Sequence, residues 1–199
     1  FTKDAVEHLP KMIAAAGIEP VKIMHMYYGG RTVPEYYEGY DTTNDYTCYM
    51  LNTGTDVWTS FRGMTLKQAA ASDKWDIVTI QEHTGNYRAW SWTAEEKAAI
   101  TGLIDCIKAD QGDNLPEFKY IMSQAYFDMN KIGTGSRPYM TFSTQDEMFD
   151  VIVAQAQKVL AETEIDEVIP TGTVLQNLRT SSLDNAMNLT RDGYHMDFG

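Results

Sequence analysis

Near the end of the chain Asp192 and His195 stand three residues apart, a carboxylate followed by an imidazole. That spacing lets the carboxylate reach the ring Nδ1 and fix the tautomer, leaving Nε2 to accept a proton from a nucleophile. So short a pair also arises by chance in solvated loops, and its meaning depends on its company. Gly29 and Gly30 follow the apolar run Val21–Tyr28. Adjacent glycines there let a backbone N–H approach a developing oxyanion, and they equally suit a plain turn. Gln81 closes a second apolar run and opens the polar cluster Gln81, Glu82, His83, Thr84, Gly85, Asn86. A side-chain amide at a strand end can donate to the same oxyanion, or simply cap the strand.

These residues need elements to position them. Apolar residues at helical spacing from Asp4 to Ala16, closed by Gly17, predict an opening amphipathic helix. Val21–Tyr28 predicts a buried strand ending at the glycines. From Thr32 to Arg62 the sequence is aromatic and polar without helical period. Within it Tyr46–Leu51 and Val57–Phe61 flank a turn signal at Asn52–Asp56 and predict a small hairpin beside the sheet. A helix over Thr65–Ser72 precedes a strand over Trp75–Gln81. Capping-box spacings at Thr93/Glu96 and Thr144/Glu147 open helices reaching Lys108 and Leu160. Strands at Phe118–Met122 and Glu167–Pro170, a short helix over Val174–Arg179 and the loop Thr190–His195 complete the chain. Alternating strand and helix predicts an α/β fold with a parallel sheet covered on both faces, in one domain over residues 1–199 with an aromatic-rich insertion at about 32–62.

Bulk properties exclude several classes. The 16 Lys and Arg against 28 Asp and Glu leave a formal charge of -12, which repels phosphate backbones, so nucleic acid is not an expected partner. No apolar run approaches the roughly 20 residues of a membrane span, and no basic-then-apolar leader is present, which puts any export signal upstream of Phe1. Cys48 and Cys106 have no CxxC spacing, and Asp41, Asn44 and Asp45 miss the EF-hand register, so no metal and no cofactor is expected. Ser91, Ser123 and Ser181 are the serines one would nominate as nucleophile, yet none sits in a nucleophile-elbow or Gly-Asp-Ser-like turn.

The order of the pieces resembles the SGNH/GDSL hydrolases: a glycine loop after the second strand, an amide after the third, and Asp-x-x-His near the C-terminus. The likeness is nearest to a group of SGNH-like domains of gut Bacteroidetes. It is carried by Phe1–Ala5, Tyr28–Gly30, Trp75–Gln81, Pro170–Thr173 with Asn177 and Arg179, and Leu189–His195. The resemblance implies a flavodoxin-like three-layer sheet and a serine esterase without cofactor, in which His195 is the base and Asp192 orients it. Gly30 then supplies the backbone oxyanion donor and Gln81 the side-chain donor, with Asn86 an open alternative because the usual Gly-x-Asn-Asp block is absent. Tyr28, Glu82, His83, Asn86 and Tyr126 become candidate substrate-binding residues.

In that group Phe-x-x-Asp-Ala follows directly on Gly-Asn-Ser. The resemblance therefore implies a nucleophilic serine immediately before Phe1, a first strand that precedes Phe1 and is missing from this chain, and a further helix after Gly199. It also implies a secreted, periplasmic or cell-surface bacterial protein acting on a small-molecule or carbohydrate ester, with an acetyl group favoured. Tyr36, Tyr37, Tyr40, Tyr46, Tyr49, Trp58, Trp90 and Trp92 suit stacking on sugar rings, and core packing accounts for some of them equally well. The rival expectation is a non-catalytic glycan-binding or surface protein on the same fold.

Overall fold

The computed structural model describes residues 6, 8–18, 21–55, 57–83, 92–127, 142, 144–184, 189, 190, 193 and 195. Its elements in chain order are α1 (Leu9–Ala15), β1 (Ile23–Tyr27), α2 (Val33–Glu38), β2 (Thr47–Leu51), β3 (Trp58–Phe61), α3 (Leu66–Ala71), β4 (Ile77–Ile80), α4 (Ala94–Gln111), β5 (Glu117–Ile121), α5 (Gln145–Glu162), β6 (Glu167–Ile169) and α6 (Thr171–Leu178). They fall into two compact units, residues 1–29 with 39–73 and residues 30–38 with 74–199.

In the first unit, Pro10 sits in the first turn of α1, where its missing N–H breaks no helical bond. Gly17, at φ 68, turns the chain out of the helix, with its N–H on the Ala14 carbonyl at 3.1 Å. The expected hairpin is present, with Cys48 opposite Phe61 and Leu51 opposite Trp58. β1 lies antiparallel on the outer side of this hairpin, pairing Ile23 with Leu51, Met24 with Met50 and Met26 with Cys48. This corrects the expectation that Val21–Tyr28 belongs to the parallel sheet. Periodicity marks an apolar strand but not its partner, and here the apolar side chains of β1 find cross-strand neighbours in β2.

The second unit holds a three-stranded parallel sheet in the order β4-β5-β6, with Val78 opposite Phe118, Ile80 opposite Tyr120 and Tyr120 opposite Val168. Parallel neighbours need a long crossover, and α4 and α5 supply the two. α4 buries Ala99, Ile100, Leu103 and Ile104, and α5 buries Met148, Ile152, Ala156 and Val159. Each large apolar side chain removed from water contributes about 1.5–3 kcal/mol. Thr93 starts α4 with a reciprocal capping box to Glu96, and Thr144 Oγ1 accepts the Glu147 N–H at 3.1 Å at the start of α5.

α2 is a second correction, because it falls in the stretch from Thr32 to Arg62 that shows no helical period. Six residues are too few for a period to declare itself, but a local signal is there: Thr32 donates from its N–H and Oγ1 to Glu35 Oε2 at 2.7 and 2.9 Å, the spacing of a capping box. Tertiary packing then holds this short helix, for Tyr37 lies so close to Gly102 of α4 that a Cβ there would sit 2.4 Å from its ring.

Candidate functional site

The site is built in the second unit at the C-terminal ends of β4 and β5, the edge where open parallel sheets bind ligands. Gln81 leaves the end of β4 with its Nε2 donating to Ser123 Oγ at 3.1 Å, and Ser123 Oγ donates in turn to the Glu82 carbonyl at 3.2 Å. Ser123 is 1% exposed, so its hydroxyl serves this link between strand ends and is withdrawn from solvent. The link orients the Gln81 amide rather than leaving it to rotate.

Glu82 turns inward beside it. One carboxyl oxygen accepts the N–H of Val33, the first residue of α2, at 3.2 Å, and the other accepts the N–H of His83 at 2.6 Å. Burial pushes its carboxyl up to about 8; the two backbone N–H groups oppose this, and the negative charges of Glu96 and Glu35 add to it. Gly30, three residues before Val33, has φ 79, a left-handed conformation in which a side chain is strained although open space surrounds its Cα. Between them, Thr32 is fixed by Glu35, whose carboxyl is held below its usual range chiefly by those two hydrogen bonds.

The segment after β5 is pinned from three directions. The Gly172 N–H of α6 donates to the Met122 carbonyl at 3.1 Å, and Gly172 itself packs so tightly that a Cβ would stand 2.1 Å from the Ser123 carbonyl oxygen. Arg179 donates to the Ala125 carbonyl and to Gln176 Oε1, each at 2.7 Å, while Gln176 Nε2 reaches Asp146 at the start of α5. Burial lowers the Arg179 guanidinium to about 10, so it remains a cation at neutral pH. Gln145 Nε2 holds the Tyr126 carbonyl at 2.9 Å.

The C-terminal loop joins this same segment. Phe127 N–H donates to the Gly193 carbonyl at 2.9 Å, and Gly193 N–H donates to Thr190 Oγ1 at 3.0 Å. Gly193, at φ 88, takes the left-handed conformation that favours glycine. The loop carrying His195 is thereby anchored to the chain that leaves β5, and His195 is half-buried there.

Of the residues singled out from sequence, Gln81, Glu82, His83, Tyr126, His195 and Gly30 all belong to this unit. Tyr126 is 5% exposed, with its N–H on Met148 Sδ at 3.3 Å. Tyr28 belongs to the first unit, where its ring meets Tyr46 edge-on at 6.1 Å. Asp192, Asn86, Trp90 and Ser91 lie outside the described residues. Ser181 Oγ donates to the Leu178 carbonyl at 2.6 Å. Sequence reasoning misses the positioning groups: it treats Ser123 only as a candidate nucleophile and does not single out Glu35 or Gln145. Among the described residues no group of three or more His, Cys, Asp or Glu converges as metal ligands do, and no described helix is long and apolar enough to cross a membrane.

Comparison with known proteins adds a family. No curated protein matches the chain. A crystal structure of a DUF4886 family protein from Bacteroides uniformis ATCC 8492 is similar to it, with a TM-score of 0.83 and 26% sequence identity over 99% of this chain and 73% of that one. The model of the DUF4886 family, described as a domain of unknown function, matches residues 1–199, and the chain belongs to that family.

Proposed function

We propose that this protein is a serine-type carboxylic-ester hydrolase of SGNH kind, acting at the cell surface, in the periplasm or outside the cell, and removing acetyl or other short acyl groups from carbohydrate. The observation that carries the reading is that two groups are anchored to the one segment that follows β5. Ser123 holds the Gln81 amide at the end of β4, and Phe127, further along the same segment, holds the loop at Gly193. An amide donor and an imidazole loop held to one segment are groups that acyl transfer uses.

In this mechanism a serine immediately before Phe1, implied by the resemblance, attacks the ester carbonyl as His195 takes its proton. Asp192 orients the ring and balances the imidazolium. The Gly30 N–H and the Gln81 amide donate to the oxyanion. The protonated His195 passes its proton to the departing sugar oxygen; water deprotonated by the same ring then attacks the acyl-enzyme, and that proton returns to the serine Oγ as the carboxylic acid leaves.

The test is turnover of p-nitrophenyl acetate and of an acetylated sugar by the full-length protein. His195→Ala is expected to abolish it, Asp192→Asn to lower kcat by up to about 10⁴-fold, and Gln81→Ala to lower kcat by about 10²–10³-fold. Undiminished turnover in purified His195→Ala would remove the mechanism.

A further inference from the structure

We infer that Glu82 is a positioning residue for the oxyanion donors: its carboxyl clasps the start of α2 to the end of β4 and so sets the Gly30 N–H and the Gln81 amide in one fixed relation. The catalytic consequence rests on the esterase reading, whereas the clasp itself does not.

The geometry requires two acceptors on one buried side chain. Oε2 takes the Val33 N–H at 3.2 Å and Oε1 takes the His83 N–H at 2.6 Å. Glu82 is 2% exposed, so water does not substitute for either bond. One donor follows Gly30 by three residues, and the other follows Gln81 by two. Thr32, between Gly30 and Val33, is tied down separately by Glu35. The short run from Gly30 to Val33 is thus fixed at its far end by two carboxyls, and its conformation at Gly30 is one that only glycine adopts without strain. The backbone carbonyl of Glu82 meanwhile accepts from Ser123 Oγ, the same hydroxyl that receives the Gln81 amide. A single residue is therefore linked to both donors, to Gly30 through Val33 on one side and to Gln81 through Ser123 on the other.

Glu82→Gln is the decisive variant. Either carboxyl oxygen can accept whether the group is ionised or protonated, but the nitrogen of an amide of the same shape cannot, so one of the two N–H groups is left facing another donor. In the full-length protein kcat on p-nitrophenyl acetate is expected to fall roughly tenfold or more, while KM stays within about twofold, because the loss is felt by the oxyanion and not by the ester ground state. Hydrogen exchange at the Val33 or His83 amide is expected to quicken by roughly tenfold or more as its acceptor is lost. Unchanged exchange at both amides overturns the clasp, and unchanged kcat with altered exchange overturns the positioning role. A rise in KM matching the fall in kcat also overturns that role and leaves only a general structural one. If the wild-type protein hydrolyses no short acyl ester, the esterase reading falls and with it the catalytic role, while exchange still decides the clasp. Should Glu82→Gln not fold, Glu82→Asp, with both oxygens but one methylene less reach, answers the same questions by the same readouts.

Discussion

At the scale of single residues, the site is distinguished by polar groups that are buried yet engaged. Glu82 carries a consequence for stability as well as position. Its folded pKa stands near 8 against an ordinary value of 4.5, mainly through burial, with Glu35 on α2, Glu96 on α4 and its neighbour His83 as the charged or titratable groups around it. A raised carboxyl pKa means that the folded protein holds a proton the unfolded chain has released. Its contribution is therefore fully present below about 4.5 and is lost as pH rises through about 8. Wild type is expected to lose stability relative to Glu82→Gln between about pH 5 and about pH 9, by something on the order of a few kcal/mol. Urea unfolding of both proteins across that range checks it, and parallel stability curves would refute the buried proton. The types and order of Gln81 and His195 were legible in the sequence because strand ends and a short motif are local patterns. Ser123 as an anchor was not, since a hydroxyl 42 residues from the amide it holds leaves no local trace.

Elements decide how firmly those residues are held, and glycines mark the tightest approaches. A Cβ at Gly172 would meet backbone, the Ser123 carbonyl oxygen at 2.1 Å, whereas at Gly102 it would meet the far end of the Tyr37 ring at 2.4 Å. Backbone in a sheet-end segment cannot swing aside, but Tyr37 is 40% exposed and can. Gly172→Ala is expected to destabilise by about 1–3 kcal/mol or more. Gly102→Ala is expected to be near neutral, because relief of glycine's helical penalty of about 1 kcal/mol offsets the displaced ring. Thermal melts of the two variants make the comparison; equal losses would contradict it. Most elements were legible: the capping box at Thr93, the hairpin turn at Asn52 and the strand runs are short-range signals. The boundaries of α6 and the existence of α2 were less so. α2 is six residues long and rests on its cap, on Glu82 and on packing against α4, two of which are tertiary.

For the molecule as a whole, the balance of 16 basic against 28 acidic side chains makes self-repulsion the leading long-range electrostatic effect. Against it stand exposed ion pairs such as Lys22–Asp73 at 2.7 Å and Lys97–Glu162 at 3.5 Å, each worth at most about 1 kcal/mol. Screening weakens both, but a net charge of -12 outweighs scattered surface pairs. Raising the ionic strength from about 10 mM to about 150 mM, which shortens the Debye length from about 30 to about 8 Å, is expected to raise Tm. A lower Tm in salt would show that the ion pairs dominate.

The sequence by itself determined the α/β class, the charge and most of the helices and strands, all of which follow from composition and from periods of about two or about 3.6 residues. Tertiary structure alone decided that β1 joins the antiparallel hairpin while β4, β5 and β6 form the parallel sheet. It also decided that Glu82 turns inward to the start of α2. The physical reason is the same in both cases: a strand's partner and a carboxyl's donors are long-range hydrogen bonds, between positions such as 33 and 82 or 24 and 50, and no local pattern encodes them.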